Sequence, residues 1–140
     1  MSNSLRHPKI VIIGAGMTGI LMAIKCREKG IQDIVVLEKA GRIGGTWREN
    51  TYPGVACDVP AHMYTYSFAM NPDWSRYYAG GSEIQGYFEA MVQRYNLEPL
   101  IHCNEEVTAS EFNNGQWLIS TRPILSFVPL GFCTTLPIRT

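Results

Sequence analysis

Residues 9–39 read KIVIIGAGMTGILMAIKCREKGIQDIVVLEK, and no other stretch of the chain restricts its folding as strongly. Residues 9–13 form a short, β-branched apolar run, the pattern of a strand covered on both faces of a parallel sheet. From residue 17 to 29, Ile20, Leu21, Ala23 and Ile24 recur at helical spacing, and Gly30 stands where a helix-ending glycine is expected. Residues 33–38 form a second apolar run that ends in an acid, Glu38. Two such strands joined by a helix within about thirty residues make a βαβ unit, whose crossover is right-handed.

The turn between the first strand and the helix carries Gly14, Gly16 and Gly19 in a GxGxxG pattern. Gly14 permits the tight turn, Gly16 lets a pyrophosphate approach the backbone, and Gly19 lets the helix pack closely on the strand. The first amides of the helix and its dipole then favour an anion, with the Thr18 hydroxyl as a further donor. Glu38, followed by Lys39, ends the second strand about twenty residues after the last glycine, where a carboxylate accepts hydrogen bonds from ribose hydroxyls and repels a 2′-phosphate. The expected nucleotide is therefore FAD or NAD and not NADP. A turn-closing role for the glycines and a solvated Glu38 is the plain alternative; strand, glycines, helix and acid at the right intervals favour the nucleotide.

The rest of the chain narrows the class. Twelve basic and twelve acidic residues balance, and the cations are scattered, so no face is marked for nucleic acid or an anionic membrane. Cys26, Cys57, Cys103 and Cys133 form no CxxC pair and no metal-binding spacing, and His7, His62 and His102 stand alone, so no metal site is expected. Free thiols suit a reducing compartment, and the opening MSNSLRHPK has no secretory core, which predicts a cytoplasmic protein.

Residues 40–81 are rich in glycine, proline and aromatics without sustained periodicity, as expected of a binding loop. Ser82 and Glu83 are expected to open a helix in which Ile84, Tyr87, Phe88, Met91 and Tyr95 share a face, ending near Asn96. Residues 101–103 suit a third parallel strand. Residues 107–112 and 116–121 are β-like runs around an Asn-Gly step, the signature of a hairpin. Residues 123–138 contain three prolines and no clear period, and are too broken to span a bilayer.

A second glycine pair follows the acid. In the segment KAGRIGGTWRENTYPGVACDVPAHMYTYSF, Gly44 and Gly45 allow another close approach of backbone to ligand, with Thr46 as a donor and Trp47 as a flat surface, a combination that points to FAD. GAGMTG at 14–19, Glu38, GGTW at 44–47, YPGVACD at 52–58 and the aromatic stretch 64–68 together resemble the flavin-dependent Baeyer-Villiger monooxygenases, relatives of the flavin-containing monooxygenases. The likeness covers roughly residues 8–121.

The resemblance implies an α/β, Rossmann-like FAD-binding βαβ with a parallel sheet plus a β-hairpin. It implies an N-terminal tail over residues 1–8, a partial FAD-binding domain over 9–121 and a divergent tail over 122–140. By the same likeness Gly14, Gly16, Thr18, Gly19, Glu38, Lys39, Gly44, Gly45, Thr46 and Trp47 hold FAD, and Val107 meets the adenine through its backbone. Asp58 and Tyr64 would lie nearer the isoalloxazine, and Ala56, Cys57 and Asp58 near the nicotinamide of NADPH. Asp58 would be the catalytic acid that orients an active-site arginine lying beyond this sequence.

Family members reduce the flavin with NADPH and use O2 to insert an oxygen beside a ketone carbonyl, giving an ester or lactone. They are several times longer, with a second glycine-rich loop for NADPH and the arginine. Here the hairpin runs instead into TRPILSFVPLGFCTTLPIRT, which is expected to be irregular and to lack the segment that returns the family's chain to the FAD sheet. A frameshift or retained intron would produce such a junction, and the transcript sequence across it decides the matter. Three functions follow from these expectations: the FAD-binding part of a monooxygenase, inactive alone and either a fragment or half of a split enzyme completed by another polypeptide; a noncatalytic flavin-binding or interaction module; or an inactive remnant.

The plainer roles of single residues stand beside these. Asp58 could cap a turn, Cys57 reads as a small buried residue, Trp47 could belong to the core, and Trp74, Tyr77 and Tyr78 read as packing.

Overall fold

The computed structural model describes residues 8–122, 126–127 and 131–134. Its centre is a four-stranded parallel sheet. Strand β1 (Ile10–Ile13) lies between β2 (Ile34–Glu38) and β7 (Gly131–Thr134), with β3 (Ile101–Cys103) outside β2, giving the order β3-β2-β1-β7. The registers are parallel throughout, with Ile12 opposite Val36 on one side and Cys133 on the other.

Strand side chains alternate between faces, and the two faces of this sheet have different covers. Ile12, Ile34 and Val36 join the main core, where helix α1 (Met17–Glu28) contributes Ile20, Ala23 and Ile24 and helix α3 (Gly81–Arg94) contributes Ile84, Tyr87, Phe88 and Met91. Val11, Val35 and Leu37 point the other way and pack with Ile119, Val107 and Trp117. These last belong to an antiparallel sheet of β4 (Glu106–Asn113), β5 (Gln116–Arg122) and β6 (Ser126–Phe127). Helices, parallel sheet and hairpin sheet thus form three layers, which is why β1 and β2 are apolar at every position but the terminal acid.

The sequence reading of this part holds closely. Helix α1 ends at Glu28 with Gly30 at φ +78°, and the hairpin turns through Asn114 and Gly115 at φ +51° and +81°. Both turn residues occupy the left-handed region that an Asn-Gly step tolerates. Replacing Gly115 with alanine is expected to cost about 1 kcal/mol, because a Cβ there strains the backbone although nothing crowds it. A urea unfolding midpoint equal to that of the wild type would contradict this.

Two expectations are corrected. Helix α3 starts one residue before Ser82, with Gly80 as its N-cap and no side-chain cap. An isolated bridge between Ala56 and Gly80 holds the chain extended up to that point, and the Gly81 amide donates to the Val55 carbonyl, so the backbone decides where the helix begins. Glu83 instead accepts from the amide and hydroxyl of Ser75, both at 2.8 Å, and these bonds hold its carboxyl below the usual range.

The second correction concerns residues 122–140, expected to be irregular and to lack the returning segment. Ser126–Phe127 extends the hairpin sheet, and Gly131–Thr134 returns to pair with β1 along its whole length. The physical reason is the edge of β1, whose buried amides and carbonyls need partners. Any short extended segment within reach supplies them through its backbone, whatever its side chains. Residues 123–125, 128–130 and 135–140 lie outside the described residues, as do residues 1–7 of the expected N-terminal tail.

The long segment 40–80 contains only a short helix α2 (Thr46–Glu49) and one 3-10 turn at Ala61–Met63. Side chain to backbone bonds fix it to the helices. The Tyr66 hydroxyl donates to the Met17 carbonyl at 2.6 Å, and the Tyr87 hydroxyl accepts from the Tyr66 amide and donates to the Ala69 carbonyl. Burial raises the pKa of both tyrosines, so they stay protonated and able to donate.

Candidate functional site

At the carboxyl ends of β1 and β2 lies a cleft of about 450 Å³. It is where an open α/β sheet places its ligand. Its floor is the β1–α1 turn. Gly14 takes φ +91°, and a Cβ at Gly19 would overlap the Gly14 carbonyl oxygen, so helix and strand meet at this distance only because position 19 has no side chain. Helix α1 has no side chain capping its N-terminus, which leaves the amides of its first turn open towards the cleft.

A second glycine turn lies directly on the first. The Gly44 amide donates to the Ala15 carbonyl at 2.9 Å, and a Cβ at Gly45 would come within 3.2 Å of the Gly16 Cα. Gly44 and Gly45 take φ +122° and +53°. At Gly44 a side chain would also overlap the amide of Gln85, which reaches up from α3 and donates to the Ile43 carbonyl at 3.0 Å. Two turns about thirty residues apart thereby present their backbones side by side, as a diphosphate needs.

Glu38 closes one end. It is 4% exposed, and both carboxylate oxygens are engaged. Oε2 accepts from the Ala15 amide at 2.8 Å, while Oε1 accepts from the Ala40 amide and from Arg48 Nη1, each at 3.0 Å. A carboxylate has about four acceptor positions, so one remains on Oε2. Cys103, at the end of β3, has its thiol pKa pushed up by burial and then by the Glu38 carboxylate, with Arg48 opposing, so it is a poor nucleophile here.

At the other end Trp47 and Tyr64 meet edge to face, their ring centroids 5.6 Å apart, with Trp47 Nε1 donating to the Tyr64 hydroxyl at 3.2 Å. Trp47 packs on the core and also lines the cleft. Val107 reaches the cleft where β4 carries a bulge between Val107 and Ala109.

The cleft thus brings together Gly14, Gly16, Thr18, Glu38, Lys39, Gly44, Gly45, Thr46, Trp47, Tyr64 and Val107. Gly19 lies beneath the turn. Ala56, Cys57 and Asp58 do not line it: Asp58 and Ala56 are exposed on the loop leading to the 3-10 turn, and Cys57 is buried in the core. Cys26, Cys57 and Cys103 are in no disulfide, and no group of metal-ligating side chains occurs among the described residues. Trp74 packs against Tyr87 in the core, whereas Tyr77 and Tyr78 are exposed and touch each other edge to face. No helix among the described residues is long and apolar enough to cross a membrane.

Arg48, Glu49, Glu105 and Glu106 line the cleft without having been singled out from sequence. Sequence carried no signal that singles out Arg48, because Lys39 and Arg42 stand closer to Glu38 along the chain.

Known proteins resemble this chain in sequence and in fold. Residues 12–80 match the NAD(P)-binding Rossmann-like domain family. The chain is 44% identical over 117 residues to a Baeyer-Villiger monooxygenase of Streptomyces coelicolor, an alignment that takes in 82% of this chain and 22% of that protein. It is 41% identical over 108 residues to a FAD-binding monooxygenase of Aspergillus terreus, covering 75% of this chain and 19% of that one. Among solved structures, cyclohexanone monooxygenase from Rhodococcus sp. Phi1 bound to NADP+ superposes with a TM-score of 0.87 at 30% identity, over 94% of this chain and 26% of that one. The chain spans about a fifth of the length of the curated relatives it matches.

Proposed function

From the premise that this chain is a relative of the FAD-binding part of the flavin-dependent Baeyer-Villiger monooxygenases, we propose that it binds FAD in the cleft between its two glycine turns. The observation that carries this reading is the pair of turns themselves, packed backbone on backbone at Gly16 and Gly45 with Glu38 at their end. The residues present fit the group. The open amides of α1 and the Gly14–Gly16 turn would hold the pyrophosphate, with Thr18 and Thr46 as hydroxyl donors. Glu38 would take a ribose hydroxyl on its remaining acceptor position, and the Val107 backbone would meet the adenine. Trp47 and Tyr64 would border the isoalloxazine.

Bound FAD supplies two-electron redox chemistry and reactivity towards O2. The chain's own residues would bind and orient it, and the aromatic pair would shield one end from water. In this reading the whole reaction is an NADPH- and O2-dependent oxidation of a ketone to an ester or lactone. Asp58, exposed beside Val59, would orient an arginine supplied by a complementing polypeptide, and Ala56 and Cys57 would lie on that same side, towards NADPH. Exposed Tyr52, Met63, Met70 and Tyr77 on this loop are consistent with such a partner. The thiols of Cys57 and Cys103, in no disulfide, accord with a cytoplasmic setting.

Titrating the purified chain with FAD while following flavin absorbance and fluorescence tests the reading, with NADPH-dependent oxygen uptake measured on the same sample. Bound FAD, not displaced by NADP, is expected, without oxygen uptake by the chain alone. Bound flavin with turnover would put the whole reaction within these residues, and a chain that takes up no flavin overturns the proposal in favour of a remnant.

A further inference from the structure

Glu38 is held by a buried cation that belongs to the other glycine motif. The side chains of Arg48 and Glu38 are 9% and 5% exposed and lie 3.0 Å apart. Burying a carboxylate without a counter-charge is costly, and Arg48 is the cation at hand. Lys39, the other basic residue lining the cleft, is 57% exposed and lies 3.8 Å from Glu49.

The guanidinium is not free to turn to a ligand. One terminal nitrogen donates to Glu38 Oε1 and, at 2.7 Å, to the Arg42 carbonyl, and the other donates to Glu49 Oε1 at 2.6 Å. Three acceptors on one planar fork fix its orientation. Glu38 is fixed in turn, because Arg48 and the Ala40 amide occupy Oε1 and leave Oε2 to the Ala15 amide in the first glycine turn. The chain of bonds from Arg42 through Arg48 and Glu38 to Ala15 therefore joins the second glycine motif to the first, with one acceptor position of Oε2 left over.

We propose that Arg48 is the positioning residue for the nucleotide's ribose: by holding Oε1, it aims the remaining acceptor of Glu38 Oε2 at a ribose hydroxyl. The inference rests on the FAD-binding reading and adds to it a residue that acts through Glu38 without touching the nucleotide. Arg48 thereby sets how strongly the site recognises an intact ribose, as distinct from how strongly it holds phosphate.

The test compares ADP with 2′,3′-dideoxy-ADP on the full chain by calorimetry, in the wild type, Arg48→Met and Arg48→Lys. A charge-assisted hydrogen bond makes a wild-type preference for ADP of about tenfold or more. In Arg48→Met the preference is expected to fall below about twofold, with the affinity for the dideoxy nucleotide within about threefold of the wild type. Arg48→Lys keeps the charge but loses the fork, and is expected to fall between. Should Arg48→Met not fold, the Arg48→Lys preference decides alone.

A preference unchanged in either folded variant, or equal weakening of both nucleotides, overturns the positioning role while leaving FAD binding intact. A wild-type preference near one overturns the ribose contact of Glu38 and with it the role of Arg48. A wild-type chain that binds neither nucleotides nor FAD overturns the underlying reading.

Discussion

Glu38→Ala is expected to lower the unfolding free energy by about 3 kcal/mol and to abolish measurable FAD binding. The first effect follows from what the carboxylate leaves behind. Arg48 is 9% exposed at its side chain, and removing its buried partner strands a charge, which costs about 3–5 kcal/mol where no other acid is near. Glu49 and the Arg42 carbonyl still accept from the guanidinium, which favours the lower end of that range. The Ala15 and Ala40 amides also lose their acceptor, so the first glycine turn is no longer tied to the end of β2. Urea unfolding followed by circular dichroism reads the stability and flavin fluorescence reads the binding. The double variant Glu38→Ala, Arg48→Met is expected to recover about half of the stability, because no charge is stranded, yet none of the binding. A single variant within about 1 kcal/mol of the wild type would mean that the buried pair contributes little here.

Gly19→Ala is expected to cost about 3 kcal/mol, against its helix propensity. Alanine is favoured over glycine inside a helix by about 1 kcal/mol, so an unobstructed site would gain stability. At Gly19 the new Cβ would overlap the Gly14 carbonyl oxygen and lie 3.0 Å from its carbon, with Ile12 Cγ2 at 3.6 Å. Those first two atoms are backbone of the turn that floors the cleft, and backbone cannot rotate aside as a long side chain can. The whole of α1 would have to lift, which costs more than the propensity returns. FAD binding should fall with it, since the open amides of α1 move away from the Gly14 turn. Gly86→Ala in α3 is the control: the position is exposed with nothing within 4 Å, and it should gain about 0.5–1 kcal/mol. Destabilisation of the same size at both positions would mean that the close approach at Gly19 is not the cause.

Both substitutions act where local sequence and tertiary contact meet, which is also where the reading of the sequence stops. The βαβ unit, its glycines and the acid at the end of β2 were legible because each rests on local chemistry: β-branched runs, helical spacing, positive φ at Gly14 and Gly30, and an Asn-Gly hairpin turn. The amphipathic face of α3 was legible for the same reason, as Ile84, Tyr87, Phe88 and Met91 are all buried. The start of α3 was not, because a bridge from Gly80 to Ala56 sets it and no pattern near Ser82 records that bridge.

The tail makes the same point from the other side. Its side chains carry no period, and the sequence therefore predicts irregular chain, yet Gly131–Thr134 pairs with β1 through main-chain groups that every residue but proline possesses. Arg48 shows it within the site. Its position after Trp47 gives no sign of where its side chain ends, and only the packing of α2 beside the end of β2 brings it to Glu38. What the sequence determined by itself was which backbone conformations and which apolar faces were available, because steric limits and periodic burial act over a few residues. What the tertiary structure decided was which distant groups share a charge, an edge or a turn, because desolvation and backbone pairing are satisfied by neighbours in space and leave no trace in neighbours along the chain.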